Sequence, residues 1–296
     1  MHGFQVERPG SADVAEILAL VHASDIAAVG FADFDESEVV AALGASWVVR
    51  DRDGLAVGWG YLDPPAAAAE EVSCEAYARP GADPAVQAEL VRLLLDQLAE
   101  RAPVTARSAA TPGETAYIRV LEQAGFAFER QHARMTRPLT GDEQRPDPVP
   151  GYTLRRLNSG ELVECHELLR TAFTGAGQTF PATLGEFADT PGIRWAETLV
   201  AEADSGDLAG AVVSSGQSPA SDEGWVKWLG VLPGHRGRGL AKALLAGAFA
   251  AYAEQGLGRA GLGVDTTNPT GAYRLYESLG MTPAYLTNIY RQVITG

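Results

Sequence analysis

Alternating hydrophobic and polar positions begin two distant parts of the chain. Residues 4–9 and 152–157 both have this alternating pattern, which predicts a short strand in each case. Each strand is followed by apolar residues at helical spacing, over 13–22 in the first case and 159–173 in the second. Ser159 precedes the second helix and is predicted to be its N-cap.

The same order of elements continues in both parts. Residues 47–50 and 56–61 predict one hairpin, and residues 198–203 and 209–214 predict another, each around an Asp- and Gly-containing turn. The segment Tyr117-Ile118-Arg119-Val120-Leu121-Glu122-Gln123-Ala124-Gly125-Phe126 also matches Ala272-Tyr273-Arg274-Leu275-Tyr276-Glu277-Ser278-Leu279-Gly280-Met281. This internal similarity predicts a tandem of two whole domains.

A proline-rich stretch separates the two similar halves. Residues 141–151 contain three prolines and several charges, which exclude a regular helix or a central strand. We therefore predict a first domain over 1–140, a linker over 141–151 and a second domain over 152–296. A chain of 296 residues is long enough for both domains to bury a core.

The second half contains a strand, a glycine-rich loop and a helix in succession. Residues 225–232 predict the strand, and the alanine- and leucine-rich residues 240–255 predict the helix. The loop between them presents backbone N–H groups at the positive end of the helix, where glycine lets a diphosphate approach closely. Arg236 and Arg238 are expected to add mobile positive charge. The pattern therefore favours an anion site over a merely flexible turn.

These residues resemble the GNAT superfamily of acyl-CoA-dependent N-acyltransferases. The family signature is Gln or Arg, two residues, Gly, one residue, then Gly or Ala, and Arg236-Gly237-Arg238-Gly239-Leu240-Ala241 matches it. The resemblance continues through a strand at 260–264 and the closing segment 272–281. Several motifs in the same order are more specific than a lone glycine loop.

The resemblance implies an α+β fold of two tandem GNAT-like domains, each a mixed, mostly antiparallel sheet flanked by helices. It also implies that acetyl-CoA lies where the parallel strands 225–232 and 260–264 splay apart. Backbone groups near Leu229 and Val231 would then bind the pantetheine arm. The diphosphate would lie on the loop that the signature forms, which consists of Arg236, Gly237, Arg238, Gly239, Leu240 and Ala241.

Two further residues take roles from the same resemblance. Asn268 matches an asparagine that contacts the cofactor arm, although an Asn-Pro turn with Asn268 as a helix cap explains it equally well. Tyr276 matches a tyrosine that faces the CoA sulfur, and thiolate expulsion needs such a proton donor. The alternative for Tyr276 is packing in the core. Asp222 and Glu223 are weak candidates for the general base, because their context is typical of a solvated loop.

The first half departs from this pattern. Aligned on the two Pro-Gly pairs, Asp83-Pro84-Ala85-Val86-Gln87-Ala88 replaces the signature, and Leu121 stands in place of Tyr276. Asp83 would repel a diphosphate, and Pro84 removes an N–H donor. The first half is therefore predicted to bind no CoA and to have a structural role.

The composition of the chain limits the classes of ligand that the protein is expected to bind. A net charge of −15 disfavours nucleic acid and anionic lipid, and it is compatible with an amine substrate or simply with solubility. The N-terminal residues lack the apolar core of a signal peptide, so a cytoplasmic location is expected. Cys74 and Cys165 lie far apart and predict buried thiols, not a metal site or a disulfide.

The resulting hypothesis is transfer of an acetyl group from CoA to a small-molecule amine in a ternary complex. The acceptor is expected between the halves, near 174–180 and 217–224, in a monomer or homodimer. Two alternatives remain open: a non-catalytic acyl-CoA-binding or regulatory module, and an acyl-CoA decarboxylase on the same scaffold.

Overall fold

The computed structural model describes residues 3–32, 34–63, 70–174, 180–216, 222–267 and 271–295. The chain forms two compact units. One contains Met1–His132 and Tyr285–Gly296, and the other contains Ala133–Ala284. The proline-rich stretch 141–151 lies within the second of these units.

The first half of the chain supplies six strands and four helices among the described residues. In chain order they are β1 (Gln5–Glu7), α1 (Val14–Val29), α2 (Glu36–Ala42), β2 (Ser46–Arg50), β3 (Ala56–Leu62), β4 (Glu71–Ala78), α3 (Ala85–Ala99), β5 (Val104–Ala110), α4 (Thr115–Gln123) and β6 (Ala127–Pro138).

The second half repeats this order. Its elements are β7 (Tyr152–Arg156), α5 (Leu162–Phe173), α6 (Leu184–Ala188), β8 (Leu199–Ala203), β9 (Leu208–Ser215), β10 (Glu223–Val231), α7 (Leu240–Glu254), β11 (Arg259–Asp265), α8 (Ala272–Ser278) and β12 (Thr282–Ile294). The correspondence confirms the tandem arrangement of elements that the internal similarity predicts.

Both units have mixed, mostly antiparallel sheets, as the resemblance implies. Strands follow the order β1-β2-β3-β4-β5-β12 in the first unit and β6-β11-β10-β9-β8-β7 in the second. The predicted hairpins are present as the antiparallel pairs β2–β3 and β8–β9. The pairs β4–β5 and β10–β11 are parallel.

Each unit is completed by a strand from the other half of the sequence. In the first unit β12 pairs antiparallel with β5, from Asn288↔Ala110 to Ile294↔Val104. In the second unit β6 lies next to β11, and the Thr136 hydroxyl donates to the Ala260 carbonyl at 3.3 Å. The sequence pattern does not predict this exchange, because both strands have neighbours that are distant in sequence.

Apolar faces of the helices cover the sheets. In the first unit, Ile17, Leu20 and Val21 of α1 are buried in a cluster that includes Trp59. In the second, Leu168 and Leu169 of α5 are buried in a cluster with strands β8–β10. Burying such side chains stabilises each by about 1.5–3 kcal/mol relative to exposure, so these helices are fixed on their sheets.

One predicted cap is wrong. Helix α5 begins at Leu162, so Glu161 and not Ser159 occupies the N-cap position. The Glu161 carboxylate accepts the Asn158 N–H at 2.9 Å and bonds the Arg155 guanidinium at 2.7 Å. With these two contacts the helix begins two residues later than a cap at Ser159 would place it.

The predicted burial of both thiols is confirmed, since Cys74 and Cys165 are free and buried. Burial raises the pKa of the Cys165 thiol to about 12, so this side chain stays protonated and is a poor nucleophile at neutral pH. Among the residues with described positions, no helix is long and apolar enough to span a membrane. The same residues form no cluster suited to a metal ion.

Candidate functional site

The parallel strands β10 and β11 separate part-way along their length. Their pairing runs from Glu223↔Arg259 to Val226↔Leu262, although β10 continues to Val231 and β11 to Asp265. Beyond Val226 the edges of the two strands that face each other therefore lose their ladder partners. Unpaired strand edges of this kind can bond an extended ligand.

An irregularity on the other side of β10 marks the same place. The antiparallel register between β10 and β9 shifts between Val226 and Trp228, which leaves Lys227 in a bulge. Val226 and Trp228 are buried, whereas Lys227 is exposed. Bulges re-aim side chains, and here a cationic group is directed to the opening between the strands.

The loop after β10 has the backbone that the glycine pattern predicts. Gly237 and Gly239 have φ of 74° and 86°, in the left-handed region that other residues adopt at a cost. A Cβ atom at either position would meet nothing within 4 Å, so open space lies beside the loop. The glycines are thus required by their backbone angles and leave room for a ligand.

Helix α7 follows this loop with its N-terminus open. Its first bond runs from the Ala243 N–H to the Gly239 carbonyl at 3.0 Å. The N–H groups of Leu240, Ala241 and Lys242 therefore have no carbonyl acceptor within the helix. Together with the helix dipole they form an anion-binding surface.

Arg236 does not extend freely over this surface as expected. Its Nε donates to the Val231 carbonyl at 3.0 Å and its Nη2 to the Ala172 carbonyl at 3.1 Å. The guanidinium therefore ties the loop to the end of β10 and the end of α5. Its charge still lies at the site, but its position is fixed by two backbone groups.

Arg238 is held by the first strand of the second half. Its Nη1 donates to the Tyr152 hydroxyl at 3.0 Å, and the same hydroxyl bonds His235 Nδ1 at 2.8 Å. This small network joins β7 to the loop at two points. It leaves His235 on the loop side of the site.

A cavity of about 350 Å³ extends from the loop into the opening between β10 and β11. Among the predicted binding residues with described positions, all but Arg238 line it: Leu229, Val231, Arg236, Gly237, Gly239, Leu240 and Ala241. Asn268 lies outside the described residues, so its two interpretations stay open.

The cavity wall is cationic in an acidic protein. Only two lysines occur in the sequence, and both of them, Lys227 and Lys242, line this cavity. Arg236 adds to them, and no Asp or Glu is found among the described lining residues. The wall is therefore suited to an anionic ligand.

Tyr276 forms part of the wall at the opening between the strands. It lies on α8 and is 8% exposed. Burial raises the pKa of its phenol to about 12, which keeps the proton on the oxygen at neutral pH. Within the described residues its hydroxyl bonds no other group, so it can donate to a ligand.

The two carboxylates considered as a base lie elsewhere. Glu223 is buried and bonds Arg134 Nη2 at 2.5 Å and the Thr136 hydroxyl at 3.0 Å. It stands four residues before Lys227, about 13 Å along the strand. Asp222 precedes it and is exposed. Neither belongs to the described wall of the cavity.

Sequence reasoning missed three parts of the wall. From the sequence, Lys227 is most simply interpreted as a lysine that projects into solvent. Only the bulge in β10 shows that it is directed to the cavity. Ala172 and Phe173 reach the cavity because α5 packs closely on β10, where a Cβ at Gly230 would lie 2.8 Å from Leu169. The sequence signal that could have indicated the role of Lys227 is that the two lysines of the chain lie on either side of the signature 236–241. Most of the loops expected near the acceptor, 175–179 and 217–221, lie outside the described residues.

The corresponding loop of the first unit is closed by its own side chain. Asp83 Oδ1 accepts the Ala85 N–H at 2.9 Å, and Pro84 occupies the N-cap of α3. The carboxylate thus occupies the place where an anion would bind in the second unit.

Comparison of the sequence with known proteins gives a family match in the second half and one similar relative. Residues 162–281 match the family described as "Acetyltransferase (GNAT) family". The chain is 34% identical over 179 residues to the mycothiol acetyltransferase of Thermobispora bispora, a match that covers 57% of this chain and 60% of that relative. The chain therefore matches less than two thirds of that relative's length.

Solved structures resemble the whole chain. A GCN5-related N-acetyltransferase from Sphaerobacter thermophilus superposes with a TM-score of 0.84 at 26% identity, over 99% of this chain and 96% of that one. A tandem GNAT protein from the clavulanic acid biosynthesis pathway gives 0.69 at 16% identity, over 99% of both chains, and supports the fold alone.

Proposed function

We propose that this protein transfers an acetyl group from acetyl-CoA to the amine of a small molecule, because residues 162–281 match the acetyltransferase (GNAT) family. The observation that carries the proposal is one cavity that combines an open helix N-terminus, two unpaired strand edges and a buried phenol. We further propose that the second unit alone holds the acyl-CoA.

The residues present are suited to acyl-CoA. The N–H groups of Gly239, Leu240 and Ala241 would bind the diphosphate, with Lys242 as an added cation. The unpaired edge of β10 near Leu229 and Val231 would bond the amides of the pantetheine arm. Acetyl-CoA, when bound, supplies an activated acyl carbon with a thiolate leaving group.

The amine attacks directly in a ternary complex. Its nitrogen forms a bond to the thioester carbon, the carbon–sulfur bond breaks, and the sulfur takes the electron pair. Tyr276 donates its phenolic proton to that sulfur. The proton released by the new amide nitrogen passes to solvent, which in turn reprotonates the phenolate.

The acceptor must arrive as the neutral amine. No Asp or Glu lies in the described wall of the cavity, and the sequences of 175–179, 217–221 and 268–270 contain no Asp, Glu or His. We therefore propose that solvent removes the ammonium proton before attack. The rate constant at low amine concentration should then rise with pH up to the pKa of the free amine.

Calorimetric titration with acetyl-CoA tests the binding step. The proposal expects one site per chain, because Asp83 occupies the corresponding position in the first unit. Two sites would contradict the assignment to one unit. No binding would overturn the proposed function.

Turnover is tested by release of free CoA thiol with a panel of amines. The panel should include mycothiol-related amines, since one relative is named for mycothiol. Amine-dependent thiol release with an acetylated product supports the proposal. Binding without thiol release would indicate a non-catalytic acyl-CoA-binding module.

A further inference from the structure

The first unit contains a separate cavity of about 180 Å³ at the corresponding position of its own sheet. Pairing of the parallel strands β4 and β5 ends at Ser73↔Arg107, although β4 continues to Ala78 and β5 to Ala110. The cavity lies where these strands have separated. It is therefore a product of the fold and not a gap between loose loops.

Its wall has the opposite charge to that of the second unit. Asp25, Glu75 and Glu114 line it, and the described lining residues include no Lys, Arg or His. The Glu114 carboxylate accepts the Thr111 N–H at 2.7 Å and is thereby fixed. An anion such as a diphosphate would be repelled from this cavity.

Glu75 is the group that points to a ligand. Its carboxyl accepts the Ala109 N–H, and no ion pair compensates it among the residues whose positions are described. Burial and, to a smaller extent, the nearby Asp63 and Glu114 carboxylates together raise its pKa to about 8. Glu75 is partly buried, and a cation inside the cavity would stabilise its charged form, which has no cationic partner among the described residues.

The rest of the wall is apolar and aromatic. Tyr77 and Tyr117 offer ring surfaces, and small side chains line another part of it: Ala28, Val29, Ala76, Ala109 and Ala110. Ring faces attract organic cations as well as apolar groups. An engineered apolar cavity of about 150 Å³ can hold benzene, so this one has room for a single ring.

We propose that this cavity binds a small organic ammonium ion, with its nitrogen on the Glu75 carboxyl and its apolar part against the alanines and tyrosine rings. The site is distinct from the acyl-CoA cavity and does not depend on the proposed acetyl transfer.

The test compares benzylammonium with benzyl alcohol, which has the same shape without the charge. NMR titration of the wild-type chain should give one saturable site and a dissociation constant at least tenfold lower for benzylammonium. Glu75→Gln should bring the two ligands to within about twofold of each other. Glu36→Gln, which removes an exposed charge from α2 of the same unit, should leave the ratio unchanged.

Equal affinity of the two ligands for the wild type, or an unchanged ratio in Glu75→Gln, would overturn the proposal. Ala28→Phe provides a second variant, since it fills the cavity from α1 without altering charge. It should weaken benzylammonium binding at least tenfold, and unaltered binding would place the ligand elsewhere. A chain that shows the benzylammonium preference but no binding of acetyl-CoA would refute the proposed function and leave this site intact.

Discussion

The two units separate a pair of parallel strands in the same way and then give the opening opposite charge. In the second unit, lysines and an open helix N-terminus face the cavity between β10 and β11. In the first, three carboxyl groups line the cavity between β4 and β5, and the Asp83 carboxylate accepts the Ala85 N–H at the start of the following helix. The shared sheet thus provides a cleft, and a few side chains decide the charge of its ligand.

Glutamates on the two corresponding strands, Glu223 and Glu75, show the same contrast. Glu223 on β10 is neutralised by Arg134 from β6, the strand that the other half of the sequence supplies. Glu75 on β4 has no such cation within the described part of the chain. The Glu223 carboxylate therefore stabilises the second unit, whereas the Glu75 carboxyl is available for the proposed ligand.

The largest effect is expected from Gly239→Val. A β-branched residue cannot readily adopt φ of 86°, so the loop and the start of α7 must rearrange. We expect CoA affinity to fall roughly 100-fold in a calorimetric titration. Gly256→Val is the matched control, since it puts the same residue at a φ of 79° beyond the other end of α7. Equal losses in both variants would mean that strain, and not the anion surface, weakens binding.

Tyr276→Phe should lower kcat roughly 10- to 100-fold through loss of the proton donor. CoA affinity should change less than twofold, because the ring and its packing remain. Tyr252→Phe controls for removal of a buried hydroxyl in the same unit, since that hydroxyl bonds Ser214 at 2.7 Å and lies outside the cavity wall. An unchanged kcat in Tyr276→Phe would remove this residue from the mechanism.

Glu75→Gln should change how stability depends on pH. The pKa of Glu75 in the folded chain is raised to about 8, above the ordinary value of 4.5. The contribution of Glu75 to the free energy of unfolding is therefore fully present below about pH 4.5 and is lost as pH rises through 8. Between these pH values the free energy of unfolding of the variant should rise relative to that of the wild type by at most about 1.4 kcal/mol per pH unit. Urea unfolding at a series of pH values measures this, and parallel curves for the two proteins would contradict it.

The smallest effect is expected from Asp83→Ala. The Ala85 N–H loses its side-chain acceptor, which costs about 1 kcal/mol of stability, measured by urea unfolding. The variant should still bind acetyl-CoA at one site only, because Pro84 lacks an N–H and the cavity carboxylates remain. A second binding site in calorimetry would show that Asp83 alone excludes the anion.

Much of the fold and part of the site could be predicted from local pattern. The hairpins, the parallel strands and the glycine loop before α7 lie within a few residues of where periodicity and turn chemistry put them. Local pattern failed where a distant partner decides the outcome. Ser159 is not the cap because Arg155 fixes Glu161, and Arg236 is anchored because the carbonyls of Val231 and Ala172 lie within its reach.

The sequence by itself determined the duplicated order of elements and the resemblance of its second half to a known family. It also determined which half has glycines in the loop before α7, because the positive φ angles of Gly237 and Gly239 favour glycine over other residue types. Only the tertiary structure decided the strand exchange, the direction of Lys227 and the placement of Glu75 in a cavity. These features depend on contacts between residues far apart in the chain, and no local spacing records such contacts.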